Sequence, residues 1–307
     1  MDGPMGVEEL GSAADAQPAA MRRLVRGLAS IGLVEVDADD RVSLTEMGAL
    51  LGSDARGSMR DMALHFGGEA YTAWRKLDHA VRTGESAFEA ALGEPFFTYL
   101  ERHSAAGGAF DGTMTRMSRG VIAQAITAYD FTEASNVLDI GGGHGHFVAA
   151  VLEAHPRLEG AVFDQPHVSK AAAGYLAGKG LGDRCAVTGG SFFESLPEGY
   201  DLHILKWILH DWNDESCRTI LAASRSALPA DGRLLVVEQL LPDETPASPT
   251  LHPAIGSDLN MLVNFGDAVE RSLAEYESLL GEAGFAVHEV IALPSGFSIL
   301  DCRPQAG

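Results

Sequence analysis

The pattern of apolar and polar positions changes between the first third of the chain and the remainder. Up to about residue 92, apolar residues recur at helical spacing with almost no strand pattern. From residue 136 onward, short apolar runs alternate with segments of helical periodicity. That alternation is typical of a doubly wound α/β domain with a mostly parallel sheet. We therefore predict two domains, residues 1–92 and residues 93–307.

The first domain combines helices with a short hairpin. Pro18 opens a helical run in which Leu24, Leu28 and Ile31 share one face. The segment VEVDADDRVSLT then reads as two short strands around an Asp-rich turn. Helices followed by a hairpin are the order of a winged-helix module, so we predict a mainly helical, winged-helix-like domain with a structural or dimerisation role.

Residues 93–129 are predicted to form two or three further helices. Met114 lies in this stretch. Its side chain fits either a packed core or the wall of a substrate cavity, and the sequence alone favours the core.

The second domain shows seven predicted strands. Five short buried strands are predicted at NVLDIGG, LEGAVFD, CAVTGG, DLHILKW and RLLVVEQ. The segment FAVHEVIALPSGFSILDCR reads as two more strands around a turn, so the sheet is expected to finish with an antiparallel strand. The stretch PDETPASPTLHP is rich in Pro, Ser and Thr and is predicted to be a surface loop.

Composition excludes several classes of partner. The formal net charge of the 307 residues is −21 and no basic run stands out, which argues against a nucleic-acid or anionic-membrane surface. No apolar stretch approaches the ~20 residues that a membrane span needs. Three cysteines without CxxC spacing support neither a disulfide framework nor a zinc site, so reduced thiols and a cytoplasmic location are expected. No cluster of metal ligands is evident.

A glycine-rich turn carries the strongest local signal. In VLDIGGGHGHF a strand that contains Asp139 runs into Gly141, Gly143 and Gly145 before a helix. Glycines at these positions let the backbone approach a ligand closely. The spacing differs from the GxGxxG of dinucleotide sites, so a ligand without a phosphate is plausible. A tight strand-to-helix connection without a ligand is the alternative.

The end of the second strand carries an acid, Asp164, in the segment AVFDQPHV. An acid at this position can accept hydrogen bonds from a ribose diol. Helix capping is the alternative, because Pro166 and a helical run follow. After the third strand, Ser191 and Phe192 are placed to contact an adenine ring, whereas Phe193 is predicted to be core.

A histidine follows the fourth strand in LKWILHDWNDESC. His210 and Asp211 lie at the carboxyl end of that strand, where open α/β sheets bind their ligands. A histidine there can take a proton from a hydroxyl group. Glu238 and Glu270 come later in the chain and can orient the imidazole, although the sequence also allows both to be surface acids.

Taken together, GGGxG, FDxPHV, GSFF, LKWILHDWNDE and the ERS segment resemble the small-molecule O-methyltransferase family, which includes plant caffeate and flavonoid enzymes and bacterial secondary-metabolite enzymes. The resemblance covers nearly the whole chain. It implies a Rossmann-like class I methyltransferase domain, the cofactor S-adenosyl-L-methionine, a small hydroxylated acceptor that is an aromatic secondary metabolite, and a homodimer.

The resemblance also implies roles for individual residues. The cofactor is expected over the glycine turn, with the ribose at Asp164 and the adenine at Ser191 and Phe192. His210 matches the catalytic base. The other positions implied are Asp139, Gly141, Gly143 and Lys206 near the cofactor, Asp211, Glu238 and Glu270 as flanking acids, and Met114, Trp207, Met261 and Phe265 around the acceptor.

Two other functions remain open on the sequence. Some relatives of this fold use S-adenosylmethionine for hydroxylation or decarboxylation, against which the intact His210 argues. The winged-helix segment also allows a DNA-binding regulator, against which the net charge of −21 argues.

Overall fold

The computed structural model describes residues 3–245, 247 and 251–305. Two compact units are present: Met1–Glu69 with Leu100–Arg116, and Ala70–Tyr99 with Met117–Gly307. Residue 92 therefore falls inside a segment grouped with the α/β part. Ser86 illustrates why, because its Oγ donates to the carbonyl of Asn264 at 2.7 Å. The division of the chain into domains at residue 92 stays a prediction.

The first unit contains a small three-stranded sheet with strand order β1-β3-β2. Its elements are β1 (Met5–Gly6), α1 (Val7–Ala13), α2 (Pro18–Ser30), β2 (Val34–Val36), β3 (Arg41–Leu44), α3 (Glu46–Ala49) and α4 (Arg60–Gly67). The predicted helix at Pro18 and the predicted hairpin are both confirmed, with Pro18 in the first turn of α2.

Only part of the predicted apolar face of α2 is covered within the chain. Val25 enters the small core with Val7, Val34 and Val42, and Leu28 packs against it. Leu24 and Ile31 are instead 54% and 62% exposed. The buried side of α2 is thus centred on Val25, because the hairpin reaches only that side of the helix.

Four short helices and one long helix precede the large sheet. They are α5 (Glu69–Trp74), α6 (Leu77–Thr83), α7 (Ala87–Leu92), α8 (Phe96–Arg102) and α9 (Ser104–Ala128). The predicted helices in residues 93–129 are therefore confirmed. Met114 lies in the part of α9 that belongs to the first unit.

The α/β part alternates strands and helices as expected. Its elements are β4 (Asn136–Ile140), α10 (His146–Ala154), β5 (Glu159–Asp164), α11 (Pro166–Gly178), β6 (Cys185–Gly189), β7 (Leu202–Lys206), α12 (Asp214–Ala227), β8 (Arg233–Leu241), α13 (Pro253–Phe265), β9 (Arg271–Ser272), α14 (Leu273–Glu282), β10 (Phe285–Ala292) and β11 (Phe297–Pro304). All seven predicted strands are confirmed. Part of the predicted loop at PDETPASPTLHP lies outside the described residues.

The large sheet has the strand order β10-β11-β8-β7-β4-β5-β6, and β9 pairs with β8 beyond this path. The strands from β6 to β8 along this path run parallel, whereas β11 pairs antiparallel with both β8 and β10. Chain order reverses at β4, which lies between β5 and β7. Ligands of such sheets bind outside the carboxyl ends of the strands at this switch point.

Apolar side chains cover both faces of the sheet. In β8, Leu235 and Val237 join the core that includes α10 and α11, while Leu234 and Val236 join the core that includes α12 and α14. Successive residues alternate because side chains in a strand point to opposite faces. This double burial fixes the ends of the central strands and so positions the loops that follow them.

The three cysteines are buried and free. Burial raises the pKa of the Cys185 thiol to about 12 and that of the Cys217 thiol to about 11, and it also raises the pKa of Cys302. In the described part of the chain, no helix is both long and apolar enough to cross a membrane.

Candidate active site

The glycine turn after β4 has a backbone that other residues adopt only with strain. Gly141, Gly143 and Gly145 have φ of 66°, 57° and 78°, in the left-handed region. A Cβ on Gly141 would lie 2.4 Å from Cδ1 of Ile208, whereas a Cβ on Gly143 would meet no heavy atom within 4 Å. The turn is therefore packed on one side and open at Gly143, which is a cradle suited to a ligand.

Asp164 links the end of β5 to the glycine turn. Its Oδ2 accepts a hydrogen bond from the Gly143 N–H at 2.8 Å, and its Oδ1 accepts one from the Gln165 N–H at 2.6 Å. The N-cap residue of α11 is Gln165, so the alternative in which Asp164 caps this helix is wrong. The carboxylate instead holds the backbone of the glycine turn at Gly143.

Asp139, which is buried, and Lys206, which is half-buried, place an acid and an amine at the same edge of the sheet. Burial raises the pKa of Asp139 to about 6, although the Val148 N–H and the Lys206 ammonium oppose the shift. Burial also lowers the pKa of Lys206, and Asp139 opposes that change. Lys206 Nζ donates to Ser118 Oγ at 3.0 Å and lies 5.1 Å above the centre of the Trp207 ring. Ser118 has no sequence signal of its own.

The loop after β6 presents aromatic rings to the glycine turn. Phe192 Cε1 lies 3.7 Å from the position that a Cβ on Gly141 would take. Ser191 Oγ accepts a hydrogen bond from the Phe193 N–H at 3.3 Å. Phe193 is 37% exposed and packs edge-on against Trp212, so the prediction that it belongs to the core is wrong. Its place on a loop outside the strand explains the exposure.

His210 lies in a single-turn 3-10 helix, Leu209–Asp211, which we call the histidine turn. Only 7% of the residue is exposed. Nδ1 lies 2.9 Å from Glu270 Oε1, and Nε2 lies 3.4 Å from Asp211 Oδ1. Because a carboxylate only accepts hydrogen bonds, Nδ1 carries a proton and donates it to Glu270.

Glu238 holds the backbone of the histidine turn from β8. Its Oε1 accepts hydrogen bonds from the N–H groups of Ile208 and Leu209, both at 3.0 Å. Glu238 is 0% exposed and Glu270 is 2% exposed, so the alternative in which they are surface acids is wrong. Burial raises the pKa of Glu238 to about 7, while the charge of His210 opposes the shift.

The acids dominate the electrostatics of the imidazole. Burial lowers the pKa of His210, but the negative charges of Asp211, Glu238 and Glu270 outweigh this effect and raise the pKa to about 10. A phenolic hydroxyl ordinarily has a pKa near ~10. Proton transfer between such a group and His210 is therefore close to balanced.

Three further contacts or conformations in the site are not predicted by the sequence. Arg271 donates to the carbonyls of Leu209 and Trp212, at 3.0 and 2.8 Å, and so clamps the histidine turn from β9. Ser257 Oγ donates to Glu270 Oε1 at 2.6 Å. Trp207 has φ of 57°, unusual for a bulky residue, and its ring lies parallel to the His210 imidazole within 6°.

The predicted acceptor residues fall into two groups. Met261 is buried on α13, and Phe265 at the end of α13 packs against Phe96 and Phe97. Phe97 is 45% exposed and was not singled out by the sequence. Met114 belongs to the other compact unit, so its predicted role at the acceptor stays a prediction.

One nitrogen of His210 and one carboxylate oxygen each of Glu238 and Glu270 lie within 4.8 Å of one another, a spacing at which all three could bind a divalent cation. Here the imidazole Nδ1 already donates to Glu270, and Glu238 Oε1 already accepts from two backbone N–H groups. This is the pattern of a hydrogen-bonded acid–base cluster, so we do not identify these residues as metal ligands.

A parallel sheet with a glycine turn at its switch point, an acid at the end of the next strand and a buried histidine at the end of β7 defines a class I methyltransferase fold. The O-methyltransferase domain family matches residues 74–286. This chain belongs to that family and is an S-adenosylmethionine-dependent O-methyltransferase.

Its relatives include enzymes of bacterial secondary metabolism. The phenazine O-methyltransferase of Lysobacter antibioticus is 39% identical over 99% of this chain and 87% of that protein. The O-demethylpuromycin-O-methyltransferase of Streptomyces alboniger is 41% identical over 98% and 82%. A solved O-methyltransferase from neocarzinostatin biosynthesis, in complex with S-adenosylmethionine and 2-hydroxy-5-methyl naphthoic acid, is 32% identical, with a TM-score of 0.81 over 98% of this chain and 89% of that chain.

The residues of this chain fit the cofactor of the family. The open side of Gly143 leaves room for a ligand that lies against the backbone, and the Asp164 carboxylate accepts a hydrogen bond from the N–H of the same residue. No phosphate has to be held, which agrees with a glycine spacing unlike that of dinucleotide sites.

Proposed function

We propose that this chain transfers a methyl group to a hydroxyl of a small aromatic secondary metabolite, with His210 as the general base. The hydrogen bond of 2.9 Å between His210 Nδ1 and Glu270 Oε1 carries the proposal. In the neutral form of the imidazole, this bond leaves the lone pair on Nε2 to accept the proton of an acceptor hydroxyl, and the pKa of about 10 makes that form more abundant as pH rises. When bound, S-adenosylmethionine supplies an electrophilic methyl group on a sulfonium.

The residues of the site divide into three tasks. Asp164 and the glycine turn are proposed to hold the cofactor, with Asp139, Ser191, Phe192 and Lys206 around it. Trp207, Met261 and Phe265 are proposed to line the acceptor site. His210 takes the proton while Asp211, Glu238 and Glu270 stabilise the imidazolium that forms. Holding the two reactants in line can lower the activation free energy of methyl transfer by up to ~7–11 kcal/mol. A general base typically increases the rate by a further factor of roughly 10²–10⁴.

An activity screen tests the proposed acceptor class. With labelled S-adenosylmethionine, we expect methyl transfer to members of a panel of phenolic metabolites, because a neutral aromatic hydroxyl matches the basicity of His210. The panel includes aliphatic alcohols and aromatic amines as controls. Transfer to the amines alone would refute hydroxyl methylation, and an acceptor that is hydroxylated or decarboxylated would favour the non-methylating alternative.

The charges on α2, the helix that would contact DNA, give little support to the DNA-binding alternative. Arg22 on α2 forms an ion pair with Asp40, so part of the positive charge of that helix is neutralised. The whole chain carries a net charge of −21. A regulator would show DNA retention that falls steeply with salt.

We also propose that the chain forms a homodimer through its first unit. Leu24 on α2 and Ile31, the residue that follows α2, are apolar and more than half exposed, which is costly unless a second chain covers them. In sedimentation velocity we expect a dimer, and Ile31→Glu should weaken it. Val81→Glu is the matched control, because Val81 is 67% exposed in the second unit. A monomer at every concentration, with full activity, would contradict the proposal.

A further inference from the structure

Helix α13 holds Glu270 at two points through consecutive residues. Ser257 Oγ donates to the side-chain oxygen Oε1 at 2.6 Å. Asp258 Oδ1 accepts a hydrogen bond from the Glu270 backbone N–H at 3.0 Å. Both the main chain and the carboxylate of Glu270 are therefore fixed by a helix that lies outside the Rossmann-like strands and also carries Met261.

Ser257 and His210 both donate a hydrogen bond to the same oxygen atom of Glu270. Glu270 Oε1 accepts from both Ser257 and His210, whereas Oε2 is buried without a hydrogen-bond partner among the described residues. An oxygen that serves two donors binds each one less strongly than an oxygen that serves one, because its lone-pair density is shared. The serine hydroxyl thus competes with the imidazole for the same acceptor.

We propose that Ser257 is a positioning residue that keeps His210 usable as a base, by fixing Glu270 Oε1 at the imidazole while limiting how tightly this oxygen holds the imidazole proton. The inference rests on the proposed role of His210. Without the hydroxyl, Glu270 is free to give its full hydrogen-bonding capacity to His210. The protonated imidazole is then favoured and less of the neutral base is present near pH 7.

The other charged groups around His210 lie in several elements, with Asp258 next to Ser257 on α13, and a substitution at Ser257 removes none of them. They are Asp211 in the histidine turn, Glu238 on β8, Glu270 before β9, Lys206 at the end of β7, Asp258 on α13 and Arg271 on β9. A shift in the His210 titration after removal of the serine hydroxyl therefore comes from the hydrogen bonds to Glu270 Oε1 and not from the loss of a charged group.

The test is Ser257→Ala in the full chain, with Ser257→Cys as a second variant that keeps a weaker donor. In Ser257→Ala we expect the His210 imidazole, followed by nitrogen NMR of labelled histidine, to titrate about half to one pH unit higher, and Ser257→Cys to lie between. At pH 7.5, kcat/KM on a neutral phenol should fall about threefold to tenfold, in line with that shift. On an acceptor that is already ionised, kcat/KM of Ser257→Ala should equal that of the unaltered enzyme, since no base is needed.

Ser224→Ala is the matched control, because Ser224 hydrogen-bonds a different buried histidine, His203, at 2.9 Å. We expect this control to leave the His210 titration and the ratio of the two acceptor rates unchanged. An unshifted or lowered titration of His210 in Ser257→Ala, or equal losses on both acceptors, would overturn the inference. A His210→Gln variant that keeps its rate on the neutral phenol would instead overturn the proposed function, so the two failures are distinguishable.

Discussion

Replacing His210 with glutamine should lower turnover on a neutral phenol by roughly 10²–10⁴-fold. The glutamine amide can still donate to Glu270, so the loss reports the missing proton acceptor rather than a collapsed pocket. Affinity for S-adenosylmethionine should barely change, because the glycine turn follows β4 and Asp164 ends β5, whereas His210 follows β7. Steady-state kinetics and calorimetry on the same preparation measure both effects.

The acceptor and the pH give two controls for this prediction. The loss should shrink for acceptors of low pKa, since these are already ionised at neutral pH. In the unaltered enzyme, the raised pKa of His210 means that the neutral imidazole becomes more abundant as pH rises toward about 10. Hence kcat/KM on a neutral phenol should increase between pH 7 and 9, and His210→Gln should remove the part of this increase that comes from the imidazole.

Glu270→Gln should cause a smaller loss than His210→Gln, because the imidazole loses the carboxylate that orients it through Nδ1 but remains present as the base. A His210→Gln enzyme within a few-fold of the parent on a neutral phenol would refute the general-base role. His210 would then serve to place the acceptor, and alignment of the reactants would provide the catalysis.

The second large effect is expected at Asp164. Asp164→Ala should weaken S-adenosylmethionine binding by roughly 10-fold to 150-fold, equivalent to the ~1.5–3 kcal/mol of a hydrogen bond to a charged group. The physical reason is the loss of the carboxylate that we propose as the charged partner of the cofactor and that accepts from the Gly143 N–H. Calorimetric titration with the cofactor measures the change directly.

Two variants separate a contact with the ribose from support of the turn. Asp164→Asn keeps an oxygen that can accept the Gly143 N–H but removes the charge. If Asn restores most of the affinity, the carboxylate acts on the turn rather than as a charged partner of the cofactor. Asp183→Ala, in the exposed turn before β6, is the control and should leave the affinity unchanged. Unaltered binding by Asp164→Ala would refute the ribose assignment.

The sequence was sufficient for features that depend on neighbouring residues. The strands could be predicted because each is a short apolar run. The turn at Gly141 could be predicted because a left-handed backbone conformation favours glycine. The positions of Asp164 and His210 followed from the rule that ligands meet the carboxyl ends of parallel strands. These parts of the fold and the site are encoded locally.

Contacts between distant segments could not be derived in the same way. Glu270 is 60 residues from His210 in the chain, and only the folded chain shows which oxygen meets which nitrogen. The roles of Ser257 and Arg271 depend on the placement of α13 and β9 against the histidine turn. The exposure of Phe193, which the sequence predicts to be a core residue, is not encoded locally either, since it depends on the path of the loop after β6.

The burial of the three thiols has a consequence for an enzyme that handles an alkylating reagent. Cysteine attacks electrophiles as the thiolate, and a thiol whose pKa is raised to about 11 or 12 is almost entirely protonated at neutral pH. Cys217 lies close to the chemistry, with its Sγ 3.2 Å from the Leu209 carbonyl, yet it is fully buried and uncharged. Burial and a raised pKa therefore make these sulfur atoms poor nucleophiles toward a sulfonium methyl, and we expect no methylated cysteine in a mass spectrum of the protein after incubation with S-adenosylmethionine.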